Sequence, residues 1–274
     1  MQHTRINGIS TEHLPVMDRG LQYGDGLFET VACVEGKLQF WDEHIERMCV
    51  AAKRLNIEFS SIENFEHDVL SMLQDHNISN AVVKLILTRG QSERGYRSPL
   101  SQRVTRIVVL NDLPKFPDAY ISQGIKLCFC QCPVSTNSRL AGIKHLNRLD
   151  NVLARNEWQD EYQEGIMLDD SGYAIEGTMS NIFAVKNDQL YTPSLETSGV
   201  DGVIRGQILL IAQELAIEVN VVKINKKELE NMDEIFVCNS IIGIWPVRSL
   251  NENKYNVGAL TQNLYQVLQK RIRV

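Results

Sequence analysis

A few residues in this chain have side chains that do chemistry, and their settings say which chemistry. Lys144 stands in "AGIKHLNRLDNVLARNE", just after the turn-forming stretch "STNSRLAG". A lysine on a loop is ordinarily a solvated charge. Relieved of its proton, the same amine is a nucleophile and a base. Glu176, in "AIEGTMSNIF", follows a hairpin turn and offers a carboxylate. Arg47 falls one residue off the apolar side of a predicted helix, so its head reaches an edge of the core. "GVIRGQILL" opens a helix behind a glycine, and the backbone N–H groups of Val203 and Ile204 there suit an anion. "VCNS" ends a strand on Asn239 and Ser240. Each has a plain reading: a solvated carboxylate, a surface arginine, a capped helix, a polar strand end.

The elements that must position these residues follow from periodicity. "GLFETVACV", then Glu35-Gly36, then "KLQF" predicts a β-hairpin. Asp42 is the expected N-cap of a helix carrying Ile45, Met48, Cys49, Ala52 and Leu55 at helical spacing. A second helix is expected from Ser60, with a capping box to Glu63. "AVVKLILT" and "TRIVVL" read as strands, separated by the charged loop "RGQSERGYRSPLSQR". "NDLPKFPDAY", with two prolines, reads as a linker. Beyond it come a strand at "GIKLCFCQC", a helix after the lysine, a hairpin turning at Asp170-Ser171-Gly172 and a helix at "VIRGQILLIAQELAI". "EVNVVKI" and "EIFVCNS" read as strands and the C-terminal stretch as a helix. The expectation is two α+β domains, residues 1–110 and 121–274, joined by a linker at 111–120, with a cleft between them.

Composition narrows the class. The 274 residues are 43% hydrophobic, enough for one large core or two smaller ones. A net charge of -6 argues against a general nucleic-acid surface, which needs a clustered basic excess. No apolar run approaches bilayer length and the first residues lack an apolar signal core, so a cytoplasmic protein without membrane association is expected. Six cysteines are present. The spacing of Cys128, Cys130 and Cys132 would put them on one face of a strand, as small buried hydrophobes, and no bound metal is expected.

The lysine, the carboxylate, the arginine and the backbone amides together are the parts that pyridoxal phosphate chemistry needs. The chain also resembles the fold-type IV pyridoxal phosphate enzymes, the family of branched-chain and D-amino acid aminotransferases and aminodeoxychorismate lyase. The matching stretches are "DRGLQYGDGLFET", "HIERM", "TRGQSERGY", "AGIKHLNRLDNVLAR", "EGTMSNIF", "GVIRGQIL" and "DEIFVCNSIIGIWPV", in family order. "AGIKHLNRL" and "VCNS" are most similar to the lyase branch. The resemblance implies a smaller N-terminal α+β domain and a larger pseudo-barrel C-terminal domain, with the cofactor between them, in a homodimer. It implies Lys144 as the Schiff-base lysine and Glu176 facing the pyridine nitrogen. It implies Arg47, Val203, Ile204 and Ser240 around the phosphate, with Asn239 beside them. For the lyase branch it implies 4-amino-4-deoxychorismate as substrate, 4-aminobenzoate and pyruvate as products for folate synthesis, and a functional link to the synthase that makes the substrate. Arg89, Arg94, Arg97, Tyr96 and Tyr23 are then the expected contacts to the substrate and its carboxylates. The alternative is a D-amino acid or branched-chain aminotransferase. Many of those carry a tyrosine five residues past the lysine, where this chain has Leu149.

Overall fold

The structure, a computed structural model, describes residues 3–59 and 62–272. It divides into two compact units, Met1–Lys115 with Ile143–Asn147, and Phe116–Gly142 with Arg148–Val274.

In the first unit six strands form an antiparallel sheet among the described residues: β1 (His3–Ile6), β2 (Ile9–Ser10), β3 (Gly26–Val34), β4 (Lys37–Leu38), β5 (Ala81–Thr88) and β6 (Thr105–Asn111), in the order β2-β1-β6-β5-β3-β4. Its helices are α1 (Arg19–Tyr23), α2 (Trp41–Arg54) and α3 (Ile62–Asp75). The predicted hairpin forms, with Glu35 at φ 52° and Gly36 at φ 79°. Both central residues are left-handed, as a twist-matched two-residue turn requires. Along β3 the residues Leu27, Glu29, Val31 and Cys33 are buried. The apolar three pack with Ile45, Met48 and Ala52 of α2 and with Val83, Leu85 and Leu87 of β5. Asp42 is not the N-cap of α2: the helix begins one residue earlier, behind a left-handed Phe40 with no side-chain cap. Asp42 instead stands in the first turn, where its charge complements the helix dipole. The expected cap at Ser60 lies outside the described residues.

The segment carrying Lys144 is not a free loop. Phe28 N donates to Lys144 O and Leu146 N to Gly26 O, each at 3.0 Å, and Leu27 bridges His145. β4 pairs only with Cys33 and Val34, which leaves the start of β3 an open edge. Residues 143–147 occupy that edge, so they group with the first unit, whereas the sequence reading puts them in the C-terminal domain. Gly26 permits the approach: a Cβ there would lie 2.8 Å from Leu146 Cδ1 and 2.5 Å from Leu87 O.

The second unit carries one ten-stranded mixed sheet among the described residues. Its strands are β7 (Ile125–Phe129), β8 (Glu164–Leu168), β9 (Tyr173–Gly177), β10 (Asn181–Lys186), β11 (Gln189–Pro193), β12 (Val219–Val222), β13 (Ile224–Asn225), β14 (Glu234–Asn239), β15 (Gly243–Leu250) and β16 (Asn253–Lys254). Its helices are α4 (Ala119–Ser122), α5 (Leu149–Arg155), α6 (Val203–Glu214), α7 (Lys226–Glu230) and α8 (Ala259–Ile272). The strand order is β12-β11-β10-β14-β15-β7-β8-β9-β13, with β16 on β15. The helix after the lysine is shorter than its sequence suggests. It stops at Arg155, and Trp158 turns back onto Ala154 and Cys130 in a buried cluster. β7 ends at Phe129, so Cys130 and Cys132 lie past the strand rather than along one face of it. Burial pushes the Cys128 thiol up to about 11 and the Cys130 thiol higher still. Both therefore behave as apolar filler. No helix among the described residues is long and apolar enough to cross a membrane.

Candidate active site

In the first unit Lys144 is half-buried, and its Nζ lies 4.3 Å from the centroid of the Phe28 ring. The two residues oppose each other across the short bridge, so their side chains share a face. Glu29, next along β3, points to the other face and into the core, where it is 1% exposed. A carboxylate in such a row must be paired. Arg47 donates to it twice, Nε to Oε1 at 2.8 Å and Nη2 to Oε2 at 2.5 Å. His44 Nδ1 lies 2.6 Å from Oε2 and completes the cluster. Burial alone would raise the Glu29 pKa, but the Arg47 charge and the His44 and Arg47 hydrogen bonds overcome it and hold the carboxyl at about 2. Burial pushes the His44 imidazole below its ordinary value, with Glu29 opposing and Arg47 and Lys144 adding to the shift. The Glu29 pair thus fixes the direction of the Arg47 guanidinium.

Glu29→Gln keeps the shape and removes the charge. It is expected to cost about 2–4 kcal/mol at neutral pH, because a buried pair loses one partner. A depressed carboxyl contributes stability that is present above its unfolded pKa and lost as pH falls through its folded one. The gap between wild type and variant should therefore shrink as pH falls from 4.5 toward about 2, which urea unfolding across that window measures. A constant gap would mean that the charge is not what stabilises.

Arg89 does not stand as a substrate contact. It is 5% exposed and its donors are spent inside the unit. Nε and Nη2 grip Asp25 at 2.8 and 3.0 Å, Nη2 also reaches Leu55 O at 2.8 Å, and Nη1 reaches Asn56 O at 2.5 Å and Gln102 Oε1 at 3.5 Å. A guanidinium has five N–H bonds, and all five are used. The same loop presents Arg94, Tyr96 and Arg97 to solvent, with the Tyr96 and Tyr23 rings 5.2 Å apart.

In the second unit Glu176, 4% exposed on β9, accepts from Val200 N at 2.7 Å. Gly199, at φ 83°, makes the turn before Val200, and a Cβ there would lie 2.8 Å from Ile175 Cγ2. Gly202 is the N-cap of α6 and no side chain caps that end. A Cβ on Gly202 would lie 2.0 Å from Asn181 Oδ1, which explains the glycine. Val203 and Ile204 form the first turn, and their amides belong to the group that a helix leaves without intrahelical partners. Asn239 ties two turns together: Nδ2 donates to Met179 O at 3.0 Å, and Oδ1 accepts from Ile241 and Ile242 N at 2.8 and 3.0 Å. That turn carries Ser240, half-buried.

Glu164, missed at the sequence level, organises the turn after Glu176. Oε1 accepts from Gly165 N, Thr178 N and Thr178 Oγ1 at 3.0, 3.0 and 2.5 Å, and Oε2 from Met179 N and Ser180 Oγ at 3.1 and 2.8 Å. Every contact is a donor, so an amide NH2 at either oxygen faces N–H or O–H groups. Glu164→Gln is expected to cost about 1–3 kcal/mol and to loosen residues 178–180. Thermal melting and amide exchange at Thr178 and Met179 measure both. Glu29 and Glu164 share one sequence signal, a carboxylate set among buried strand positions.

A phosphorylated pyridine aldehyde asks for an amine, a carboxylate and phosphate donors. The residues present fit it in kind, each unit offering its own part. The first unit offers an amine beside an aromatic ring at Lys144 and a fixed guanidinium at Arg47. The second offers a buried carboxylate at Glu176 and, at α6, an N-terminus without a side-chain cap.

Comparison with known proteins follows the same lines. Residues 26–250 match the family described as amino-transferase class IV. An aminodeoxychorismate lyase of Vibrio harveyi is 34% identical over 94% of this chain and 97% of its own. A 4-amino-4-deoxychorismate lyase structure from Pseudomonas aeruginosa superposes with a TM-score of 0.93 at 37% identity, covering 97% of this chain and 98% of that one. A D-alanine aminotransferase of Bacillus licheniformis is 28% identical over 94% of this chain and 91% of its own. The two-domain α+β fold expected from sequence is the one these relatives share.

Proposed function

We infer from one premise, that the chain belongs to the amino-transferase class IV family, that it converts 4-amino-4-deoxychorismate to 4-aminobenzoate and pyruvate. The family's cofactor is pyridoxal phosphate. The observation that carries the choice of reaction is the match to two lyases of this activity over nearly the full length of each. Leu149, in place of the tyrosine frequent in the aminotransferases, supports the same choice.

Pyridoxal phosphate, when bound, supplies a carbonyl for an amine and a ring that takes up electrons. The groups assigned to hold it are Lys144, Arg47, Glu176, Val203, Ile204 and Ser240, with Asn239 fixing the turn of Ser240. Lys144 would hold the cofactor through its amine and would move a proton at the amine-bearing carbon of the substrate. Glu176, as an anion, would keep a proton on the ring nitrogen. Arg47, aimed by Glu29, and the amides of Val203 and Ile204 would hold the phosphate. Arg94 and Arg97, with Tyr96 and Tyr23, meet the two substrate carboxylates. Loss of the enolpyruvyl group leaves the product ring aromatic, which drives the reaction forward.

The enzyme is assigned to the cytoplasm and to folate synthesis, in series with the synthase that makes its substrate. A homodimer is supported by α5, which exposes Leu149, Val152 and Leu153 at helical spacing. Light scattering reads that state, and a monomer at working concentration would refute it.

The test is turnover of enzymatically generated 4-amino-4-deoxychorismate, following 4-aminobenzoate by fluorescence and pyruvate by a coupled reductase. Formation of both in equal amounts supports the lyase. Neither product, with amino transfer from D-alanine or leucine to 2-oxoglutarate, would establish the aminotransferase alternative, which the likeness to D-alanine aminotransferase favours.

A further inference from the structure

Arg19 belongs to the five-residue helix α1 and yet is 3% exposed. Its guanidinium faces a loop, with its carbon 5.0 Å from the centroid of the Tyr23 ring. Nε donates to Asp25 Oδ2 at 2.7 Å. Nη1 donates to Ser92 Oγ and Gly95 O, both at 3.0 Å, and more weakly to Arg97 O at 3.4 Å. Nη2 donates to Tyr96 O at 3.0 Å. The backbone joins in, with Arg19 N donating to Gly90 O at 2.9 Å.

Three consecutive carbonyls, from residues 95 to 97, therefore turn inward onto one buried cation. Their side chains are left outside: Tyr96 is 85% exposed, and Arg97 is exposed too, as is Arg94. Gly95 makes the turn at φ 112°, a backbone that other residues rarely adopt. The charge balance explains the grip. Asp25 is shared between Arg19 and Arg89, two cations to one carboxylate. The surplus positive charge is met by loop carbonyls, and hydrogen bonds from a charged donor are the strong ones.

We propose that Arg19 is a positioning residue for substrate: it sets the shape of the 92–97 loop and so sets affinity for a dianionic substrate without touching it. This rests on the reading of that loop as the carboxylate-binding segment. A lysine at position 19 keeps the charge and the reach to Asp25. It cannot serve a hydroxyl and several carbonyls at once, because its donors radiate from a single nitrogen.

The experiment compares wild type with Arg19→Lys, Ser92→Ala and Arg94→Ala, using 4-amino-4-deoxychorismate and trypsin. Arg19→Lys should raise KM roughly tenfold while kcat changes by less than about twofold, since uniform binding is what is lost. Its cofactor absorbance should match wild type. Trypsin should cleave after Arg94 and Arg97 roughly tenfold faster, because the loop now opens locally. Ser92→Ala removes one acceptor at the loop and leaves the core intact. It should shift both readouts the same way by about two- to threefold, and it decides the matter if Arg19→Lys does not fold. A raised KM in Arg94→Ala with unchanged KM and unchanged trypsin rates in the Arg19 and Ser92 variants overturns the proposal. An unchanged KM in Arg94→Ala sinks instead the reading on which it rests, and the trypsin rates then show separately whether Arg19 shapes the loop.

Discussion

On the proposed function, Lys144→Ala is expected to lose 4-aminobenzoate formation by roughly a thousandfold or more, because one substitution would remove both the nucleophilic amine and the base. The fold is expected to survive. The hydrogen bonds that hold the segment, Phe28 N to Lys144 O and Leu146 N to Gly26 O, belong to the backbone and remain in the variant. Among what the variant gives up is the amine over the Phe28 ring. A contact of that kind at a half-exposed site contributes about 0.5–1 kcal/mol, too little to unfold the unit. Product assays, the visible absorbance of the bound cofactor and thermal melting separate the outcomes. Lost turnover and changed absorbance with an unchanged melt assign the chemistry to Lys144. Retained turnover would remove this lysine from the mechanism and with it the family reading of the segment.

Glu176→Gln is the second large effect, with turnover down roughly a hundred- to a thousandfold and cofactor affinity changed by less than about tenfold. The substitution isolates charge from structure. A glutamine oxygen still accepts from Val200 N, so the turn through Gly199 keeps its hydrogen bond. The substitution removes the negative charge that the proposed function sets beside the ring nitrogen, and with it the reason for that nitrogen to stay protonated. Glu176→Ala adds a second injury, since Val200 N loses its buried acceptor at a cost of about 1–3 kcal/mol. The two variants should therefore match in kcat and differ in stability. Equal cofactor loss and rate loss in the glutamine variant would assign Glu176 to binding instead.

The sequence made the local elements legible where one residue type forces one conformation. Glu35-Gly36 is a turn because both positions are left-handed, and α6 opens behind Gly202, its N-cap. The candidate lysine and carboxylate are legible through motif stretches, not through periodicity. Pairing across the chain was not legible. Arg89 looks like a free cation in a charged loop, and only the fold shows Asp25, Leu55, Asn56 and Gln102 closing around it. Glu29 could have been suspected, since it interrupts an alternating apolar row on β3, but its partners on α2 depend on which face that helix presents. Asp42 misled because a good capping residue stood one turn position inside the helix that Phe40 begins.

The edge pairing of residues 143–147 has a consequence for biosynthesis. A chain leaves the ribosome from its N-terminus, and domains generally fold as units while it does so. The strands β3, β5 and β6 are all complete by Asn111, before Lys144 is made. Until Asn147 has emerged, Gly26 to Phe28 present unpaired backbone groups at an open sheet edge, a template for any other strand. The lysine is thus the last strand-like piece of the first-made unit, and no N-terminal fragment ending at Lys115 can carry it.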